Sequence, residues 1–239
     1  MTWSIIARDP ASGRTGIAVA TRFFAVGARV PYGDPAAGAL CTQALVNPLY
    51  GPRGLALLRA GVPAADVVAI LTAADDGRDH RQLHVVDTFG RFAAHTGQQC
   101  VDWCGHLARA DISVAGNMLT GPRVIEDTAA AYRDNMALPL ARRLIAALKA
   151  GEAAGGDKRG KQSAALVIWG REEYSDLDLR VDDHADPLAE LTRLEAVSRE
   201  RWVHFRKFLP TRANPAGVYD RAGIDAGIAA SVAAGDDAP

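Results

Sequence analysis

Cysteine is scarce in this 239-residue chain: three residues, an odd number, make no disulfide framework and fit a reducing compartment. No apolar run approaches the roughly 18 residues of a membrane helix, and the first residues lack the basic segment and long apolar stretch of a secretory leader. A soluble, cytoplasmic protein is expected. An excess of charge of either sign is missing too. With 27 basic and 28 acidic residues the formal charge is −1, so no global field gathers nucleic acid or an anionic membrane, and neither is expected as a partner. There is no internal repeat of fixed period and no linker long enough to argue for a second domain. Apolar residues, by contrast, make up 49% of the chain, enough to bury a full core.

The chain opens with two strand-like runs, Trp3 to Arg8 and Thr15 to Ala20, joined by the turn Asp9-Pro10-Ala11-Ser12-Gly13. The second run is apolar at nearly every position, the pattern of a strand covered on both faces. Arg22 to Pro35, broken by Gly27, Pro31, Gly33 and Pro35, reads as a loop, and Gly38 to Leu45 as a third strand. Helices are predicted over Leu55–Ala60, stopped by Gly61, and over Ala64–Ala74, opened by Pro63. A hairpin follows, Gln82–Val86 and Arg91–His95 around Asp87-Thr88-Phe89-Gly90. After a strand over Ile112–Leu119 come helices over Arg123–Asn135 and from Pro139 to Ala150, then strands over Ser163–Trp169 and Leu177–Val181. Asp186-Pro187 caps a helix running to about Phe208, and the Ala-rich tail from Gly223 is either helical or frayed. Hairpins with helices grouped between them predict an α+β fold, two packed antiparallel sheets under helical outer layers, rather than alternating βαβ units.

A hydroxyl residue follows the initiator methionine, and threonine is small enough for Met1 to be removed. Removal leaves Thr2 with its own base, an α-amine of reference pKa about 7.7 to 8.0. Many chains begin Met-Thr by chance; what singles this one out is that Thr2 opens a strand that buried neighbours would hold rigidly. Acyl transfer also needs donors aimed at the developing oxyanion. Gln43, Asn47 and Asn117 are candidates, although Asn47 and Asn117 also have turn or bulge explanations.

The runs Thr2-Trp3-Ser4-Ile5-Ile6-Ala7, Ala20-Thr21-Arg22-Phe23-Phe24-Ala25-Val26-Gly27-Ala28, Thr42-Gln43-Ala44 and Asn47-Pro48-Leu49-Tyr50-Gly51-Pro52-Arg53-Gly54 resemble the bacterial domain-of-unknown-function family numbered 1028. So do Arg81-Gln82-Leu83, Gly116-Asn117, the segment Gly155 to Leu166 and Leu179 to His184. The resemblance extends to about Leu194. That family is similar to the N-terminal nucleophile (Ntn) hydrolases, which implies a four-layer αββα sandwich: one domain over 1–239, with a C-terminal helical extension from about 187. The extension would pack either on a second copy of the chain, in a homo-oligomer, or on its own domain. The resemblance further implies Thr2 as nucleophile, Asp157 as the acid orienting its amine, and Arg22 as the basic neighbour. The acid usual at the end of the second strand in proteasome-like relatives is replaced here by Ala20 or Thr21.

The loop Gly155 to Ser163 could hold a substrate carboxylate or phosphate through Lys158, Arg159 or Lys161, with Gln43, Gln162 and Ser163 as further substrate contacts. It lacks the spacing of a P-loop or dinucleotide fingerprint, and no cofactor is expected. Cys100, Cys104 and His106, with His84 and His95 upstream, offer a weak zinc pattern without a second matching pair, and no metal is expected. Asp182-Asp183-His184 either binds a cation or ends a strand in a turn. The leading expectation is an amidohydrolase acting on a small amide, ureido or peptide-like molecule, and the alternative is a catalytically inactive ligand-binding or assembly protein on the same fold.

Overall fold

The computed structural model describes residues 2–236. In chain order it contains β1 (Thr2–Arg8), β2 (Thr15–Thr21), β3 (Pro31–Asp34) and β4 (Gly38–Ala44), then α1 (Tyr50–Arg59) and α2 (Ala64–Ala73). Next come β5 (Arg81–Asp87), β6 (Phe92–Thr96), β7 (Gly105–Ala108), β8 (Ile112–Asn117), α3 (Arg123–Asp134) and α4 (Leu140–Ala153). The chain closes with β9 (Ser163–Trp169), β10 (Ser175–Val181), α5 (Pro187–Ser198), α6 (Trp202–Phe205) and α7 (Arg221–Ala233). Two antiparallel sheets result, a six-stranded one in the order β10-β9-β2-β1-β8-β7 and a four-stranded one in the order β3-β4-β5-β6. No helix among the described residues is long and apolar enough to cross a membrane.

The period of two along β1 explains the layering. Trp3, Ile5 and Ala7 pack with Leu144 and Leu148 of α4, Val124 and Tyr132 of α3 and Leu188 and Leu191 of α5. Ile6 points the other way and meets Ile17, Val19, Ala39, Cys41 and Val86 between the two sheets. The outer face of the four-stranded sheet is covered by α1 and α2, through Leu55, Leu58, Val67 and Leu71 against Leu40, Leu83 and Val85. The order is thus helices, sheet, sheet, helices, with β1 and β2 buried on both faces as their continuous apolar runs require.

Several boundaries differ from the sequence reading. Helix α1 starts at Tyr50, five residues before the predicted Leu55, because a proline in the first turn removes no intrahelical bond. Gly51 is needed there, since a Cβ would collide with the Tyr32 ring. The expected loop from Arg22 to Pro35 holds β3, an edge strand whose proline stands at its first position. Edge strand β7 went unpredicted, having only four residues and little apolar pattern. The helix expected to reach Phe208 stops at Ser198, because the polar run Arg199-Glu200-Arg201 has no apolar face to bury. The chain then turns so that the Trp202 indole N–H donates to the Asp176 carbonyl at 3.0 Å. The tail is helical as α7.

Candidate active site

Strand register places four polar side chains in one row. Thr2 pairs with Thr21 on one side and Asn117 on the other, and Thr21 pairs with Ser163. In the facing sheet Gln43, Gln82 and Thr96 form a second row at one level. Thr2, Thr21, Gln43, Gln82, Asn117 and Ser163 are all buried. One end of the inter-sheet layer is therefore polar, while the level of Ile6, Ile17 and Val86 is dry.

Such a layer is stable only if its groups satisfy one another. The Thr2 and Thr21 hydroxyls lie 3.1 Å apart. Gln82 is the hub: its Oε1 accepts from Gln43 Nε2 at 2.7 Å and from Asn117 Nδ2 at 3.1 Å. Its Nε2 faces Thr96 Oγ1, the Gly105 carbonyl and the Gly116 carbonyl at 2.9, 3.0 and 2.9 Å. Asn117 Nδ2 also reaches the Thr2 carbonyl at a long 3.5 Å. One level deeper, Ser4 Oγ donates to Gln43 Oε1 at 2.7 Å and lies 2.9 Å from His84 Nε2, while His84 Nδ1 lies 3.0 Å from Ser113 Oγ. With the Ser4 proton given to Gln43, Nε2 of His84 is the donor to Ser4 Oγ. Burial, reinforced by His106 nearby, lowers the His84 pKa to about 3.

The polar rows open on a cavity of about 480 Å³. Thr2, Gln43, Asn117 and Arg159 of the expected site residues line it, with Thr21 beside them. Apolar walls come from Phe23, Phe24, Val30, Leu45, Val46 and Met118. The non-glycine residues with positive φ among those described are Ala25, Ala44 and Met118; Ala44 and Met118 line the cavity, and Ala25 lies between its lining residues Phe24 and Val26. Ala44 follows Gln43 and Met118 follows Asn117, so each turns the chain out of its strand as soon as the amide side chain has been placed.

The remaining expected residues fall into three groups. Arg22, Asp157, Gln162 and Ser163 stand behind the threonine pair. Asp157 accepts the Arg22 N–H at 3.0 Å and the Arg159 N–H at 2.7 Å, fixing the chain just past Thr21. The Arg22 guanidinium donates to the Lys161 carbonyl. The Gln162 amide N–H donates to the Thr21 carbonyl, and Ser163 Oγ donates to the Phe23 carbonyl at 2.5 Å, which secures the rim. Lys158 is exposed, its amine turned to the Asp102 carbonyl. Asn47 is a correction: it lines a different cavity with Tyr50 and Arg53, and its Nδ2 donates to Asp75 at 2.9 Å. Asp75 also collects the Tyr50 hydroxyl, Arg81 Nε and the Gly77 N–H, so Asn47 belongs to a turn-holding carboxylate cluster and is not joined with Thr2.

Among the described residues no group of three or more His, Cys, Asp or Glu side chains is placed to hold a metal ion. The groups of the zinc pattern are directed elsewhere: Cys100 to the Arg81 carbonyl, Cys104 to the Cys100 carbonyl, His106 to Thr96 and His95 to the Arg78 carbonyl. Asp182-Asp183-His184 braces the mouth. The Asp182 carbonyl accepts from Ala25, Asp183 from Gln162, and the His184 N–H donates to the Gln162 carbonyl. Sequence reasoning missed Gln82 as the hub; its signal was a glutamine two positions before His84, on the same face of an inner strand.

The model of a family described as a family of unknown function, DUF1028, matches residues 2–191. The chain belongs to that family. A crystal structure of another DUF1028 protein, from Silicibacter pomeroyi, is 33% identical and superposes with a TM-score of 0.85, covering 92% of this chain and 99% of that one. No curated protein matches. Membership in DUF1028 thus carries the fold, and any chemistry has to be argued from the site.

Proposed function

We propose that this DUF1028 protein is an Ntn-type amidohydrolase that cleaves a small amide, ureido or peptide-like bond through an acyl-enzyme on Thr2. The observation that carries this reading is the position of Thr2: first residue of a central strand, buried, and on the wall of the cavity onto which the polar rows open. Met1, whose removal the reaction needs, lies outside the described residues. In the reaction, Thr2 Oγ1 bonds to the substrate carbonyl carbon while the α-amine takes the hydroxyl proton. The tetrahedral oxyanion is held by Asn117 Nδ2, whose present 3.5 Å bond to the Thr2 carbonyl is the weakest it makes. The C–N bond then breaks as the amine passes its proton to the leaving nitrogen. Water, deprotonated by the same amine, splits the ester, releases the acid and restores Thr2.

Intact-mass measurement and turnover together test the reading. The purified protein should be short by one methionine residue. Thr2→Ala should abolish hydrolysis of any amide found by screening, a loss of several orders of magnitude at about 1.4 kcal/mol per factor of ten. Retained Met1 on folded protein, or a Thr2→Ala variant near wild-type rate, would refute it. One observation favours the inactive binding reading: the second strand ends on Thr21, a non-ionisable residue, where proteasome-like relatives carry an acid. Under that reading wild type and Thr2→Ala bind the same ligand and neither turns it over.

A further inference from the structure

The cavity beside Thr2 has a chemical signature beyond its size. Its charged lining is all of one sign: Arg29 and Arg159 face it, and no Asp or Glu does, in a chain that carries 28 acidic residues. Arg29 makes no ion pair among the described residues. Arg159 is paired at 3.5 Å with Asp157, whose side chain is fully buried behind it, and the guanidinium itself is half exposed. Fork-shaped donors in the lining suit a carboxylate, which a guanidinium can bind through two parallel N–H bonds.

The rest of the mouth is apolar and unusually bare. Phe23 is 65% exposed, Phe24 61% and Leu45 64%, with Val101 beside them. Single exposed apolar side chains are ordinary, but several gathered on one rim mark a binding surface. This rim is built and not frayed: Ser163 holds the Phe23 carbonyl, the Asp182 carbonyl holds the Ala25 N–H, and Arg81 holds the Leu45 carbonyl at 2.6 Å. A cavity lined by the polar Thr2, by apolar side chains and by two guanidiniums fits a molecule with three matching parts.

Resting on the nucleophile reading above, we propose that the substrate class is N-acyl amino acids: an apolar acyl group joined through an amide to an amine that carries a carboxylate. The acyl chain lies against Phe23, Phe24, Leu45 and Met118, the amide carbonyl reaches Thr2, and the carboxylate is met by Arg29 and Arg159. Cleavage adds water across the C–N bond and yields a free fatty or aryl acid and an amino acid.

The test is calorimetric binding of N-hexanoylglycine and its uncharged primary amide, N-hexanoylglycinamide, to the full-length Thr2→Ala protein. The acid should bind about tenfold or more tightly than the amide at low salt, the worth of a charge-assisted pair. That advantage should shrink at about 0.5 M NaCl, where exposed charges are screened. Arg29→Met, an exposed substitution, should narrow the gap between the two affinities by weakening binding of the acid alone, leaving only the share due to Arg159; KM values on the wild-type background give the same comparison. Equal affinities, no binding of either probe, or indifference to Arg29→Met would overturn the proposal. Wild type that binds the acid selectively but never cleaves it would sink the nucleophile reading alone, whereas cleavage without carboxylate preference would sink this one alone.

Discussion

Gln82→Leu removes the hub of the inter-sheet amides while nearly conserving shape, so its cost is dominated by hydrogen bonds and not by a cavity. Gln82 is fully buried. Its loss leaves Gln43 Nε2 and Asn117 Nδ2 without the oxygen they share, and takes from the Gly116 carbonyl its 2.9 Å side-chain donor. A buried donor left unsatisfied costs about 1–3 kcal/mol, so the two amides together lose about 2–6 kcal/mol. That is a large share of the roughly 5–15 kcal/mol by which folded domains are stable. For a urea dependence of about 3 kcal/mol/M, the midpoint should fall by about 0.7–2 M. Tryptophan fluorescence reads the transition, since Trp3 is buried on the strand that carries Thr2. Gln82→Glu is the control. It keeps two acceptor oxygens for Gln43 and Asn117 but loses the N–H groups facing Thr96, Gly105 and Gly116, and it buries a carboxylate. It should be destabilised as well, and more so at neutral than at acid pH. A Gln82→Leu midpoint indistinguishable from wild type would mean that the amides find other partners, and the hub would be disproved.

Two further outcomes follow from groups away from the cavity. Because the folded-state pKa of His84 lies near 3 against an ordinary 6.5, the unfolded chain binds the extra proton first. Its contribution to stability is therefore complete above about pH 6.5 and declines as pH falls, by about 2 kcal/mol at pH 5 from 1.5 pH units at 1.36 kcal/mol each. Imidazole nitrogen shifts should show His84 neutral at pH 5, and a protonated ring at pH 6 in folded protein would contradict the assignment. Arg143, buried against Asp9 at 3.0 Å and with its guanidinium 4.9 Å from the centre of the Tyr132 ring, forms a closed ion pair. Burial by itself would raise the Asp9 pKa, but bonds from Ser12 and Arg143 outweigh it and hold the carboxyl below its usual range. Asp9→Asn should cost about 3–5 kcal/mol by stranding the buried guanidinium, measured by thermal or urea unfolding at pH 7, and a change under 1 kcal/mol would count against it.

Hydrophobic period carried most of the fold. The continuous apolar runs in β1, β2 and β9 could belong only to strands covered on both sides, and Ser163–Trp169 was bounded to the residue. Edge strands β3 and β7 were illegible because four-residue strands at a sheet margin bury too little to impose a pattern. The site was legible where strand period and register decide it, at Thr2, Gln43 and Asn117. It was illegible where long-range geometry decides. Nothing local distinguishes the Asn47 amide, drawn off by Asp75 twenty-eight residues later, from the Asn117 amide, which a neighbouring strand turns toward Thr2. Long-range geometry also sets the partners of Arg22: its backbone N–H goes to Asp157 and its guanidinium to the Lys161 carbonyl.

What joins the fold to the proposed chemistry is where the sheets end. Antiparallel register forces Ser163, Thr21, Thr2 and Asn117 to one level, so four strands present polar groups to the same inter-sheet space. A polar layer there is expensive unless satisfied, and Gln43 and Gln82 from the facing sheet help to satisfy it. Continuing the strands would have closed the space with another apolar level. Instead, Ala44 and Met118 adopt the left-handed conformation directly after the two amide-bearing residues, at about 1–2 kcal/mol each for a side chain with a Cβ. Both strands turn outward at once, and the gap they leave becomes the cavity mouth. Glycine at either position would be cheaper for the backbone, but its side chain would be lost from the wall. The strain thus falls at the two points where the chain leaves Gln43 and Asn117 beside the cavity, and on the proposed reading that is where it is expected, since strained residues cluster at ligand sites.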